Sequence, residues 1–252
     1  MKEKLYTIPL NDAVNANDEC PFCFIERNVE QDLLDFALGS CASYMESDVR
    51  EDTDKAGFCR VHMKKMFDYG NTLGNGWILK TYYKKMLKEM EGQFKQFKPG
   101  KTSMMDRLKK TTQTNAIGQW VIEKESTCYI CDRFKKDYDR YIDTFFYLMK
   151  NDDAFVEKIK NGKGFCLHHF GDICNGVDTR VADKDKEAFY ALIFDVMLKN
   201  MQRMSEDVDW LVEKFDYRYK DADWKNSKDA VQRGMQKVRG GYPADPVYKM
   251  NK

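Results

Sequence analysis

Apolar side chains recur at helical spacing along most of the chain, and no stretch shows the alternation of a half-buried strand. Residues 24–38 set the pattern, with Phe24, Ile25, Val29, Leu33, Leu34, Phe36 and Ala37. Two longer stripes follow. One covers about 77–97 through Ile78, Tyr82, Met86, Met90, Phe94 and Phe97, and the other about 186–215 through Phe189, Ile193, Val196, Met197, Met204, Val208, Leu211 and Phe215. Such stripes read as core-facing sides of amphipathic helices. A further helix is expected over about 226–238, and Gly240-Gly241-Tyr242-Pro243 opens a loose tail. Turn-rich residues interrupt the pattern at Gly39-Ser40-Cys41-Ala42-Ser43 and Asn151-Asp152-Asp153, and Lys98-Pro99-Gly100-Lys101-Thr102-Ser103 reads as a linker. The fold class expected is all-α.

Cysteine usage sharpens this picture. Six of the eight cysteines fall into an arrangement that occurs twice. Cys20-Pro21-Phe22-Cys23 is followed after 35 residues by Cys59 and His62, within Gly57-Phe58-Cys59-Arg60-Val61-His62. Cys128-Tyr129-Ile130-Cys131 is followed after 34 residues by Cys166 and His169, within Gly164-Phe165-Cys166-Leu167-His168-His169. Corresponding positions lie 107 or 108 residues apart, which predicts a tandem duplication with repeats over 1–112 and 113–252. Cys-x-x-Cys and Cys-x-x-His each present two donors to one ion from a single turn, and two such pairs complete a tetrahedron. The metal ligands expected are therefore Cys20, Cys23, Cys59 and His62 in one site, and Cys128, Cys131, Cys166 and His169 in the other.

A helix spanning all 35 intervening residues would be about 50 Å long, so each repeat must fold back for its two pairs to meet. Two helical hairpins result, each pinned at its open end by three cysteines and one histidine. His168 falls opposite Val61 in the repeat register and receives no ligand role. Cys41 and Cys174 fall opposite Met149 and Phe67, and both are expected to be small buried hydrophobes. A redox dithiol accounts less well for the pattern: the second Cys-x-x-Cys lacks the proline, no βαβ pattern surrounds either copy, and a dithiol needs no distant Cys-x-x-His. Thiolate with imidazole favours Zn2+, two ions in all, with an iron–sulfur cluster as the alternative.

Charge narrows the function classes. Lysine and arginine total 42 against 41 acidic residues, so no global field points to nucleic acid or a membrane. Residues 11–55 hold twelve acidic and three basic side chains, and residues 79–110 hold ten basic and three acidic. Solvated helix faces explain this distribution best; nucleic-acid binding through 79–110 is the weaker alternative. No apolar run reaches the roughly 20 residues of a membrane span, and none near Met1 makes a signal peptide, so a cytoplasmic protein is expected. No phosphate-cradling loop or nucleophile elbow is present, and no catalytic role is assigned.

The paired motifs resemble an uncharacterised bacterial family, found chiefly in anaerobes and described as a domain of unknown function. Lys214-Phe215-Asp216-Tyr217-Arg218, Trp224 and Ser227-Lys228-Asp229-Ala230 are similar to it as well. The resemblance implies no activity. The function expected is a cytoplasmic, zinc-stabilised helical scaffold that binds a protein partner, with an iron–sulfur or thiol redox sensor as the alternative.

Overall fold

The computed structural model describes residues 3–100 and 114–241. Among these residues there are eleven α-helices, two short 3-10 turns and no strand. The helices are α1 (Glu3–Asn15), α2 (Pro21–Leu38), α3 (Ser47–Ala56), α4 (Arg60–Tyr69), α5 (Thr72–Gln96), α6 (Ala116–Glu125), α7 (Tyr129–Asn151), α8 (Asp153–Asn161), α9 (Leu167–Arg180), α10 (Asp183–Glu213) and α11 (Ala230–Arg239). The breaks at 39–43 and 151–153 fall where turn-forming residues place them. Asp152 caps α8 by accepting from the Phe155 amide, and Asn71 and Asn115 do the same for α5 and α6. Helices α1 and α6 lie outside the elements expected from apolar spacing. Part of the linker, the expected 112/113 repeat boundary, the tail beyond Gly241 and residues 101–110 of the basic 79–110 segment lie outside the described residues.

The chain forms two compact units. One runs to Val29 and resumes at Lys136; the other is Glu30–Lys135. Each draws on both halves of the sequence, because the chain passes from one unit to the other inside α2 and again inside α7. In the first unit Phe22, Phe145, Phe155, Phe165, Ile173 and Ile193 are fully buried. There α11 packs on α9 and α10, and α8 packs on α1 and α10. Phe145 meets Phe22, Phe155 and Phe165 edge to face, which orders the centre of this core. In the second unit Leu34, Leu38, Val49, Met66, Tyr69, Ile78, Tyr129 and Ile130 make the core, with α3 and α4 packed on α5.

Three expectations about burial need correction. Phe94 and Phe97 near the end of α5 are 55 % and 37 % exposed, so the apolar stripe runs on beyond the part of the helix that is buried. Phe215 is 81 % exposed, since α10 ends at Glu213 and the stripe is no longer held on a helical face. Cys41 is exposed and Cys174 half-buried; Cys41 sits in the turn after α2, where no second layer packs over it.

Candidate metal centres

Each chelating pair is built the same way at a helix N-terminus. Cys59 and Cys166 are the residues just before α4 and α9, in extended conformation, and His62 and His169 are the third residues of those helices. This is the geometry that lets a capping side chain meet the third helical amide, and the Cys166 sulfur accepts from the His169 amide at 3.4 Å. Cys20 and Cys128 likewise precede α2 and α7, with Cys23 and Cys131 at the third positions. Pro21 opens α2, where a missing N–H costs nothing. Every thiol thus lies at the positive end of a helix dipole, which favours thiolate.

The glycine of Gly-Phe-Cys turns the chain into each helix. Gly57 and Gly164 have φ of +64° and +72°, a region that other residues rarely adopt. At Gly57 a Cβ would also come within 3.2 Å of the Tyr82 ring.

The structure gathers all eight predicted ligands into two tetrads, and it exchanges the pairs. Cys20 and Cys23 meet Cys166 and His169 inside the first unit; Cys59 and His62 meet Cys128 and Cys131 inside the second. The expectation that each hairpin closes on its own two pairs is therefore corrected. Both α2 and α7 carry the chain from one unit into the other, so the Cys-x-x-Cys that opens each of these helices lies in a different unit from the Cys-x-x-His that follows it.

The sulfur–sulfur separations are those of one tetrahedral ion, and the sulfur–nitrogen separations run somewhat shorter than its edges. With Zn–S near 2.3 Å and Zn–N near 2.05 Å, tetrahedral edges come to about 3.8 Å for S···S and about 3.6 Å for S···N. In the first tetrad Cys23 and Cys166 sulfurs are 3.8 Å apart, and His169 Nδ1 lies 3.3, 3.5 and 3.1 Å from Cys20, Cys23 and Cys166. In the second, Cys59 and Cys131 sulfurs are 3.9 Å apart, and His62 Nδ1 lies 3.2, 3.3 and 3.3 Å from Cys59, Cys128 and Cys131.

Both histidines turn their second nitrogen to a glutamate of α2, the carboxylate that fixes the ring and raises ligand basicity in many zinc sites. His62 Nε2 is hydrogen-bonded to Glu30 Oε1 at 3.1 Å, and Lys65 pairs with the other oxygen of Glu30. His169 Nε2 lies 3.2 Å from Glu26 Oε1, an ion pair without hydrogen-bond alignment. Apolar spacing gave no sign of these carboxylates; only their place on the helix that carries Cys20 and Cys23 brings them to the imidazoles. His168 is exposed, with its Nε2 3.8 Å from Asp172, and stays outside the first tetrad.

The groups perturb one another strongly. Burial alone would lower both imidazoles, but the facing thiols outweigh it: Cys128 and Glu30 push His62 up to about 10, and Cys166 and Cys20 push His169 up to about 12. Burial raises Cys128, yet the His62 hydrogen bond brings it down to about 6. A metal ion that bound here would displace these protons and take their place among the thiolates and the imidazole.

The two centres differ in how they are closed. In the first all four ligands are buried, and α11 seals them. Lys237, 1 % exposed, donates from Nζ to the carbonyls of Glu19 and Lys163, next to Cys20 and Gly164, and so bridges the backbone of both chelating pairs. Gly240, which ends α11, lies against the Cys23 and Cys166 sulfurs. Burial would raise the Glu19 carboxyl, but Arg203 and Lys237 hold it below the usual range. In the second centre the same closure is made without a lysine. The Thr127 hydroxyl donates to Ala56 O at 2.7 Å, and the Tyr129 amide donates to Gly57 O at 2.9 Å. Pro21, opposite Tyr129 in the repeat, has no amide to donate. Here Cys131 is exposed and Cys59 half-buried.

Comparison with known proteins adds one match. The sequence profile of DUF6062, described as a family of unknown function, matches residues 1–245. The chain belongs to that family. Neither the curated proteins nor the solved structures provide a match. Members of DUF6062 therefore offer no activity to carry over, and the reading rests on the two tetrads.

Proposed function

We propose that this DUF6062 protein is a metal-stabilised helical scaffold, in which each tetrad holds one zinc ion and ties two helix N-termini together. The observation that carries it is the convergence of four donor atoms in each tetrad, with sulfur–sulfur separations that match the edge of a single-ion tetrahedron. A cubic iron–sulfur cluster binds each ligand to a different iron and needs its thiolates farther apart, so the same separations count against it. Four protein ligands leave no open position for water, as in structural rather than catalytic zinc sites. The matched motifs support a tandem duplication whose copies exchange their chelating pairs. All eight cysteines are free thiols, which suits the cytoplasm, and among the described residues no helix is long and apolar enough to cross a membrane.

The scaffold's proposed partner is an acidic, amphipathic protein segment docked on the outer face of α5. Tyr83, Leu87 and Phe94 are 63 %, 58 % and 55 % exposed there, interleaved with Lys80, Lys84, Lys88 and Lys95. Elemental analysis of protein purified without oxygen tests the metal: two zinc ions per chain support the reading, and iron with an absorbance near 400 nm sinks it (an approximate position expected for a cluster). Leu87→Asp tests the surface. Lost partner capture with full zinc content supports it, and unchanged capture contradicts it.

A further inference from the structure

Beside the second centre lies a cavity of about 580 Å³ with Cys59 in its wall. Phe58, Met63, Met86 and Trp120 give it an apolar part, and Arg60, Lys124 and Glu125 line it with two cations and one carboxylate. A coordinated thiol is deprotonated outright, and the thiolate is the nucleophilic form of cysteine. In most closed sites that nucleophile is out of reach, as at Cys20, Cys23 and Cys166, which are all buried. Cys59 is half-buried, and it faces a space of the size that takes a small molecule.

Resting on the zinc reading above, we propose that the Cys59 thiolate is a nucleophile toward small apolar carbon electrophiles held in this cavity. The sulfur lone pair forms a C–S bond as the bond from carbon to its leaving group breaks. The leaving group departs as an anion with the bonding pair, beside the Arg60 guanidinium. No proton, oxidant or reductant is consumed. The product is a neutral thioether, a far weaker donor than thiolate. The second centre then keeps two thiolates and one imidazole, and its hold on the ion loosens. Alkylation is thereby coupled to metal release in one unit, while the sealed centre of the other unit stays loaded.

The test uses the full chain with measured zinc content, treated with limiting benzyl bromide and, separately, iodoacetamide, and read by peptide mass spectrometry and a chromogenic zinc chelator. Cys41, exposed and outside both tetrads, is the internal reference. Benzylation should reach Cys59 about tenfold faster than Cys41. One zinc per chain should become chelatable, with Cys20, Cys23 and Cys166 unmodified. The preference for benzyl bromide over iodoacetamide should be severalfold greater at Cys59 than at Cys41, and Val121→Trp, which fills the cavity wall, should abolish that excess. Two bound zinc ions with Cys131 or Cys41 labelled ahead of Cys59 would overturn this proposal and leave the scaffold reading standing. An equal reagent preference at the two cysteines would do the same. A chain that carries no zinc would overturn both.

Discussion

The two metal centres share ligands, helix positions and a glutamate behind each histidine, yet one is sealed and the other half-open. The difference lies in what bridges the two chelating pairs of each tetrad. In the second unit a threonine hydroxyl and a backbone amide suffice. In the first, a proline has removed that amide, and a lysine from a helix more than seventy residues downstream spans the gap. The lysine brings α11 with it, and α11 buries the centre. The residue after the first cysteine, Pro21 in the enclosed centre and Tyr129 in the accessible one, thus goes with the difference between them. Buried and hydrogen-bonded, Lys237 also sets its ammonium beside a site that would carry three thiolates against one dication if zinc were bound.

That contrast can be broken at several levels. The largest effect is expected from His169→Ala. Zinc contributes about 10–16 kcal/mol of apparent free energy in small zinc domains, against a net stability of about 5–15 kcal/mol for a domain. The first unit should therefore unfold, read as lost hydrogen-exchange protection in residues 136–241 with one zinc remaining; Cys131→Ser should act on the second unit instead. Next comes Lys237→Met, which strips the carbonyls of Glu19 and Lys163 of their donor. It should cost about 1–3 kcal/mol in denaturant melts and speed chelator extraction of the slower of the two ions only. Glu26→Gln and Glu30→Gln should each weaken one ion about 10–100-fold in competition titrations, leaving the other untouched. The smallest change is Thr127→Val, at about 0.5–1.5 kcal/mol, confined to the faster ion. Equal extraction rates for both ions in the unaltered protein would remove the contrast itself.

Much of this was legible in the chain. Phe24 to Ala37 marked α2, the turn residues at 39–43 and 151–153 fell where the helices break, and motif spacing identified the eight side chains that converge. What the sequence hid was partnership. The motif pattern places Cys20 and Cys59 in the same copy, but whether they share an ion depends on where α2 carries the chain, and that is read from a structure. Lys237 was equally invisible: one lysine among many on an amphipathic helix, distinguished only by the two carbonyls it reaches. Phe94, Phe97 and Phe215 show the opposite failure, since periodicity names a face without saying whether anything covers it.

The exchange of chelating pairs is the claim on which the rest depends, and zinc counting in two quadruple variants tests it most directly. Replacing Cys20, Cys23, Cys166 and His169 together should remove one ion and leave one per chain. Replacing Cys20, Cys23, Cys59 and His62 together should leave none. One ion retained by the second variant and none by the first would mean that each hairpin closes on its own four ligands.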